Sequence, residues 1–146
     1  MSMSNSAEND LLELLFLNQD WEGIGDAGGL RGSVTAGNFY IALHTADPGE
    51  DGDQSTNEAD YTGYSRVAVP RTSAYWEINN GVVSNKQTIQ FNECTGGNNL
   101  VTHFSVGKGA SGATQYIFRG ALSAPRQITS GITPLFNPGQ LSGTLD

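Results

Sequence analysis

Residues 74–84, with the sequence AYWEINNGVVS, contain the strongest local signal for the fold. Ala74, Trp76 and Ile78 recur at the two-residue period of a half-buried strand. Asn79-Asn80-Gly81 follows them, and Asn-Gly readily adopts the type I′ turn that joins antiparallel strands. The residues at 82–84 then continue a second strand. The stretch predicts a β-hairpin.

The same alternation recurs on both sides of this hairpin. It is present at residues 39–44, 66–69, 89–91, 101–106 and 116–122. Many short strands at close spacing, with no helices between them, are typical of a sandwich or a jelly-roll-like barrel. We therefore predict an all-β fold, either an antiparallel β-sandwich or a jelly-roll-like barrel, with one N-terminal α-helix.

The N-terminus contains the one convincing helical pattern, at about residues 6–19. Asn5 is its expected N-cap, with Glu8 three residues later as in a capping box. Its leucines and Phe16 cover more than one narrow face. We predict a helical segment at 1–22 and a single β-sandwich domain at 23–146. So apolar a helix must pack on its own domain, which we favour, or on a neighbouring subunit.

Charge and cysteine content exclude several classes of partner. Seven Lys and Arg stand against 15 Asp and Glu, a formal charge of −8. Phosphate binding needs a positive field, so neither nucleic acid nor an anionic membrane is an expected partner. Cys94 is the only cysteine, and the N-terminus has no signal-peptide pattern. These features indicate synthesis in the cytoplasm.

The chain shows no catalytic or cofactor-binding pattern. His44, His103 and Cys94 are the candidates for nucleophilic or metal chemistry, but they lie far apart, whereas zinc ligands usually come in close pairs. The glycine-rich residues 23–37 follow a helix and precede a strand, the reverse of a phosphate-binding loop. We predict no catalytic, cofactor-binding or metal-binding residues, and no enzymatic activity.

The loop from Asp47 to Asp60, DPGEDGDQSTNEAD, is strongly acidic. An EF-hand loop counted from Asp51 would need Gly at position 6 and Glu at position 12, and both positions hold threonine, Thr56 and Thr62. One alternative is Ca²⁺ bound in another geometry. The other is a loop without a metal, either solvated and mobile or forming a rim that meets basic residues of a partner, and we favour this second alternative.

Two groups of residues are candidates for an interface between subunits. Aromatic rings and arginine are enriched at protein interfaces, and the apolar helix offers a second contact surface. The candidate interface residues are Leu11, Leu12, Leu15, Phe16, Tyr61, Tyr64, Arg66 and Arg71.

Several blocks resemble a known family. They are NFYIALHTADPG at 38–49, NE at 57–58 and YTGYSRV at 61–67, together with GDAGGL at 25–30, CTGG at 94–97, THF at 102–104 and GITP at 131–134. The chain resembles small virion proteins of tailed bacteriophages, labelled tail fibre, minor tail or capsid decoration proteins. The resemblance covers about residues 11–146 and implies a structural component of the virion.

Three functions follow as hypotheses. The first is a capsid decoration (cement) protein that bridges capsid subunits as a homo-oligomer, with a trimer favoured and the major capsid protein or another virion protein as partner. The alternatives are a tail or tail-fibre component, and a glycan-binding module that uses an exposed Trp76, exposed tyrosines and the acidic loop.

Overall fold

The computed structural model describes residues 1–145 as a set of short strands preceded by one helix. Helix α1 is continued by a single π-helical turn, Glu13–Leu17. The elements are α1 (Asn5–Leu12), β1 (Asn38–His44), β2 (Val67–Pro70), β3 (Trp76–Asn79), β4 (Val82–Asn85), β5 (Ile89–Gln90), β6 (Asn98–Gly107), β7 (Tyr116–Thr129), β8 (Leu135–Phe136) and β9 (Ser142–Thr144).

The strands form three sheets. Their orders are β2-β1-β6-β7, β3-β4-β9 and β5-β8. The pairs β1–β6, β6–β7, β3–β4 and β4–β9 are all antiparallel. The predicted all-β class with one N-terminal helix is confirmed. No closed barrel forms within residues 1–145, so the open sheets agree with the sandwich form of the prediction.

The residues group into two compact units, each built from segments distant in sequence. Unit 1 comprises Met1–Asn38, Pro70–Thr88 and the C-terminal segment from Phe136. Unit 2 comprises Phe39–Val69 and Ile89–Leu135. The predicted boundary at residue 22 stays a prediction. In the described part of the chain, no helix has the length and apolar character that crossing a membrane requires.

The helix of unit 1 begins one residue earlier than expected. Ser4 is the N-cap: its backbone is extended, and its hydroxyl accepts the N–H of Ala7 at 3.3 Å. The prediction of Asn5 as the cap was wrong, because Asn5 already lies within the helix. Capping depends on which side chain reaches the free N–H groups, and two adjacent cap-forming residues are indistinguishable in sequence. The helical turns end before Asn18, whose φ of 57° is left-handed.

The apolar side of the helix packs on unit 1 itself. Leu12 and Phe16 are buried, and the Phe16 ring meets Trp76 of β3 edge-on, with centroids 4.8 Å apart. The predicted hairpin is confirmed: Asn80 and Gly81 both have positive φ, at 51° and 78°, as a type I′ turn requires. The N–H of Gly81 donates to Asn9 Oδ1 at 2.7 Å, which ties the turn to the helix.

In unit 2, strand β1 lies in the interior of the four-stranded sheet and is buried on both faces. Ile41 and Leu43 lie on one face, where their cross-strand partners are Val106 and Phe104 of β6. His44 lies on the other face and is also buried. That second face is covered by the acidic loop, which places polar groups against the sheet.

Candidate functional site

The predicted interface residues of the helix divide by burial. Leu12 and Phe16 are fully buried in unit 1, whereas Leu11 and Leu15 are half-buried. The buried pair therefore stabilises the chain's own fold and offers no surface to a neighbour. A contact with another subunit through Leu11 and Leu15 stays a prediction.

Arg71, another predicted interface residue, holds the end of the helical segment in place. Its guanidinium donates to the carbonyls of Leu14 at 2.7 Å and Ala36 at 3.0 Å, and it also contacts the carbonyl of Leu15. Carbonyls at a helix end lack partners within the helix and carry partial negative charge, so a cation stabilises them. Burial lowers the pKa of Arg71.

Arg66 lies at the centre of a buried polar cluster in unit 2. Its Nε and Nη2 donate to the two carboxylate oxygens of Glu58 at 2.7 and 2.8 Å, a bidentate ion pair. The remaining N–H groups donate to the carbonyls of Gly109 and Gly112 and to Thr114 Oγ1. All five guanidinium donors are thus used inside the chain. The hydrogen bond to Glu58 raises the pKa of Arg66.

Tyr64 and Tyr61 extend this cluster. The Tyr64 hydroxyl donates to Glu58 Oε1 at 2.8 Å and accepts the N–H of Leu43 at 3.1 Å. The Tyr61 hydroxyl donates to the carbonyl of Asn92 at 3.0 Å. Burial raises the pKa of Tyr61 to about 12 and that of Tyr64 further, so both remain neutral. The two rings meet edge-on, with centroids 5.4 Å apart.

Gln54 of the acidic loop was not among the predicted site residues, and its side chain is fully buried. Its Nε2 donates to the carbonyl of Tyr40 at 2.9 Å, and its Oε1 accepts from Thr114 Oγ1 at 2.9 Å. A Cβ on Gly107 would lie 2.1–2.6 Å from the Gln54 carboxamide, so glycine permits this close approach. A lone glutamine in an acidic loop carries no sequence signal of burial.

His44 and Ser105 form a second buried pair on the same face. His44 Nε2 lies 2.8 Å from Ser105 Oγ, and its Nδ1 lies 2.8 Å from the carbonyl of Thr56. Desolvation lowers the pKa of His44 and keeps the ring neutral. A serine–histidine contact is the core of a nucleophilic triad, but here both side chains are inaccessible to solvent and the orienting group is a carbonyl rather than a carboxylate. The pair is arranged to hold the loop on the sheet.

The other two candidates for reactive side chains, Cys94 and His103, contact polar groups of residues close to them in sequence. Cys94 is buried and its Sγ contacts the carbonyl of Gly96 at 3.3 Å. His103 Nδ1 lies 2.8 Å from Thr102 Oγ1. Within residues 1–145, no group of three or more His, Cys, Asp or Glu side chains is placed to hold a metal ion.

The carboxylates of the acidic loop are partly engaged by the loop's own backbone. Asp47 accepts the N–H of Gly49 at 2.9 Å, and Asp53 accepts both the N–H and the hydroxyl of Ser55, at 2.7 and 2.6 Å. These hydrogen bonds lower the pKa of both carboxyl groups. The loop is folded against the sheet on one side and exposes carboxylates on the other. Calcium binding by this loop stays a prediction.

The structure removes Trp76 from the aromatic surface that the glycan-binding hypothesis requires. Trp76, which that hypothesis requires to be exposed, is 1% exposed and packs against Phe16. An indole enclosed in this way cannot stack on a sugar ring. The expectation of an exposed Trp76 was wrong. The two-residue alternation shows that one face of the strand is buried, but it does not show which face that is.

A bare strand edge is the other prominent feature of unit 2. Strand β7 is the last strand of its sheet, and residues 123–127 are all exposed. His103 pairs with Ala121 and Val101 with Arg126, so four residues of β7 lie opposite Thr102 alone and form a large bulge. Edge strands of this kind present unpaired backbone groups to solvent.

Comparison with known proteins gives one family. A family model described as "Podophage GP4 fiber I protein gp80" matches residues 2–144. No curated protein matches the chain. The match covers segments of both units, including the polar cluster around Arg66 and strand β7.

Proposed function

This chain belongs to the family described as podophage GP4 fiber I protein gp80, and on that basis we propose that it is a non-catalytic structural subunit of a podophage tail fibre. Membership confirms the resemblance to tailed-phage virion proteins that the sequence predicted, and it makes the protein a structural component of the virion. The family description favours the fibre hypothesis over capsid decoration.

The use of the polar groups inside the chain supports a structural role. The five donors of Arg66 and both ring nitrogens of His44 make hydrogen bonds that join loops to the sheet. An active site instead needs polar groups aimed into an accessible cleft where a substrate can reach them. A module that is stiffened in this way is suited to transmit or withstand force as part of an assembly.

The capsid decoration hypothesis has lost one of its grounds. It drew on an N-terminal helix too apolar to be left in water, and that helix buries Leu12 and Phe16 in its own unit. Attachment to the major capsid protein therefore remains as the second candidate, without an observation that favours it. We retain the proposal of a homo-oligomer, with a trimer favoured, that is assembled in the host cytoplasm and binds other virion proteins.

Fractionation of the particle tests this proposal. Purified virions would be separated into heads and tails, and the chain quantified in each fraction by mass spectrometry, with the major capsid protein as the head marker. We expect the chain in the tail fraction and its label, by immunogold, on fibres. Recovery with heads would contradict the fibre role and support capsid decoration, and absence from purified virions would contradict both.

A further inference from the structure

The end of strand β7 is the largest exposed strand segment of unit 2. Five consecutive residues, 123–127, are exposed, although a strand inside a sheet would alternate. On the neighbouring strand, Val101 pairs with Arg126 and Leu100 with Gln127, so Arg126 and Leu100 project from opposite faces of the sheet. We call residues 123–127 the bare end. On its outer side, no strand of the described chain pairs with it.

The bare end is cationic in an acidic protein. Between Glu93 and Asp146 the sequence has no Asp or Glu, yet it holds three of the seven Lys and Arg, namely Lys108, Arg119 and Arg126. Arg119 is occupied by ion pairs within the chain, with Asp47 at 3.5 Å and Glu50 at 4.0 Å. Arg126 is exposed, and its side chain makes no ion pair or hydrogen bond within residues 1–145. Its guanidinium is therefore available to a partner.

A surface of opposite charge exists on the same unit. The acidic corner comprises Asp47, Glu50, Asp51 and Asp53, and Glu50 is 93% exposed. The corner is held against the sheet, because Gln54 is buried beneath it and the Tyr116 hydroxyl contacts the carbonyl of Gly49. The chain already pairs this corner with one arginine of β7, so the same chemistry suits the second arginine.

We propose that the bare end of one copy docks against the acidic corner of a second copy, in a head-to-tail contact. Opposite charges on two different patches favour a heterologous contact, which closes into a ring when the rotation between copies permits. Two bare ends facing each other would instead bring Arg126 of each copy together. The inference rests on the proposed role as a multi-copy fibre subunit and names its self-association surface.

The geometry of β7 limits this contact to side chains. Pro125 lacks an N–H, and the bulge opposite Thr102 interrupts the regular edge. Both features hinder open-ended strand pairing, which would lead to aggregation. A discrete contact through the Arg126 side chain is compatible with both features.

Charge reversal in the intact chain tests the proposal. The variants are Arg126→Glu, the corner double variant Glu50→Lys with Asp51→Lys, and the chain that combines all three changes. Arg31→Glu and Glu22→Lys are matched controls, because both residues are exposed and lie in unit 1. Association would be measured by sedimentation equilibrium at two salt concentrations, and circular dichroism would verify that each variant folds.

We expect the wild-type chain and both controls to associate, with weaker association at high salt. Arg126→Glu and the corner variant should each weaken association more than about tenfold, since like charges in contact are strongly unfavourable. The combined chain should regain association, and mixing the two single-side variants should give a complex that neither forms alone.

Three outcomes would overturn the proposal: a wild-type chain that stays monomeric, an oligomer insensitive to both reversals, or loss of association in Arg126→Glu alone with the corner variant unaffected. The last result would show that the bare end meets a surface other than the acidic corner. Because these assays use the purified chain, their failure is distinguishable from failure of the fibre role, which is read from virion fractions.

Discussion

Arg66 carries a charge that the fold can hold only because every donor has an acceptor. Its side chain is almost entirely buried, and Glu58 supplies the compensating negative charge. A buried ion pair adds little net stability over an apolar pair of the same shape. Removal of one partner alone is costly, because the other charge then stays buried without compensation. The same arginine also joins the turn between β6 and β7 to the segment around Glu58.

We therefore expect Arg66→Ala to lower the free energy of unfolding by about 3–5 kcal/mol. Urea denaturation at neutral pH measures this change. Arg31→Ala, at an exposed position, is the control and should change stability by less than about 0.5 kcal/mol. A loss below about 1 kcal/mol for Arg66→Ala would contradict the assigned role.

His44 makes stability depend on pH. Its pKa in the folded chain is lowered, above all by burial, while the nearby Glu58 raises it and Arg66 and His103 lower it. In the unfolded chain the ring has its ordinary pKa of about 6.5. As the pH falls below that value, the unfolded state binds the proton first, so the folded state loses stability until the pH passes the lowered pKa.

We expect the urea concentration at the denaturation midpoint to decrease as the pH is lowered from about 7 to about 5. This pH range lies above the one in which the carboxylates titrate. The decrease of the midpoint over this pH range should disappear in His44→Gln, whereas the His103→Gln variant should retain it. A wild-type chain with equal midpoints at the two pH values would contradict the lowered pKa of His44.

At the scale of elements, the N-terminal helix is part of the core of unit 1 and not a free arm. Leu12 and Phe16 are buried, Arg71 binds the carbonyls at its end, and Asn9 binds the hairpin turn at Gly81. Short helices are marginal on their own, so tertiary packing supplies their stability. The helix and the β3–β4 hairpin should therefore unfold together.

Phe16→Ala tests this coupling and should lower the free energy of unfolding by about 3–5 kcal/mol. Leu30→Ala is the control, since Leu30 is exposed in the same unit. Hydrogen exchange should show faster exchange in both the helix and the hairpin of Phe16→Ala. Loss of association with unchanged stability would instead support the inter-subunit arm that the sequence left open.

For the whole molecule, the acidic excess raises the question of a bound cation. Asp47 and Asp53 each use Oδ1 to accept hydrogen bonds, from Gly49 and Ser55 respectively, so part of their negative charge is stabilised within the loop. Their lowered pKa values agree with carboxylates stabilised by N–H and O–H donors.

We expect excess EDTA to leave the melting temperature unchanged and millimolar CaCl₂ to have no greater effect than MgCl₂. Differential scanning calorimetry measures both. A rise of several degrees with CaCl₂ alone, removed by Asp51→Asn, would show that the loop binds calcium.

The local structure of this protein follows from short stretches of its sequence. The two-residue alternation gave the strands, Asn80-Gly81 gave the hairpin turn, and the leucine spacing gave the helix, because each depends on neighbours within a few residues. Tertiary structure decided which polar residues are buried. Arg66 and Tyr61 are residue types that are common at interfaces, yet both are buried in this chain. Glu58 accepts hydrogen bonds from the Arg66 guanidinium, and the carbonyl of Asn92 accepts one from the Tyr61 hydroxyl. Burial of a charge depends on partners brought together from distant segments, and that information is not contained in any single stretch of sequence.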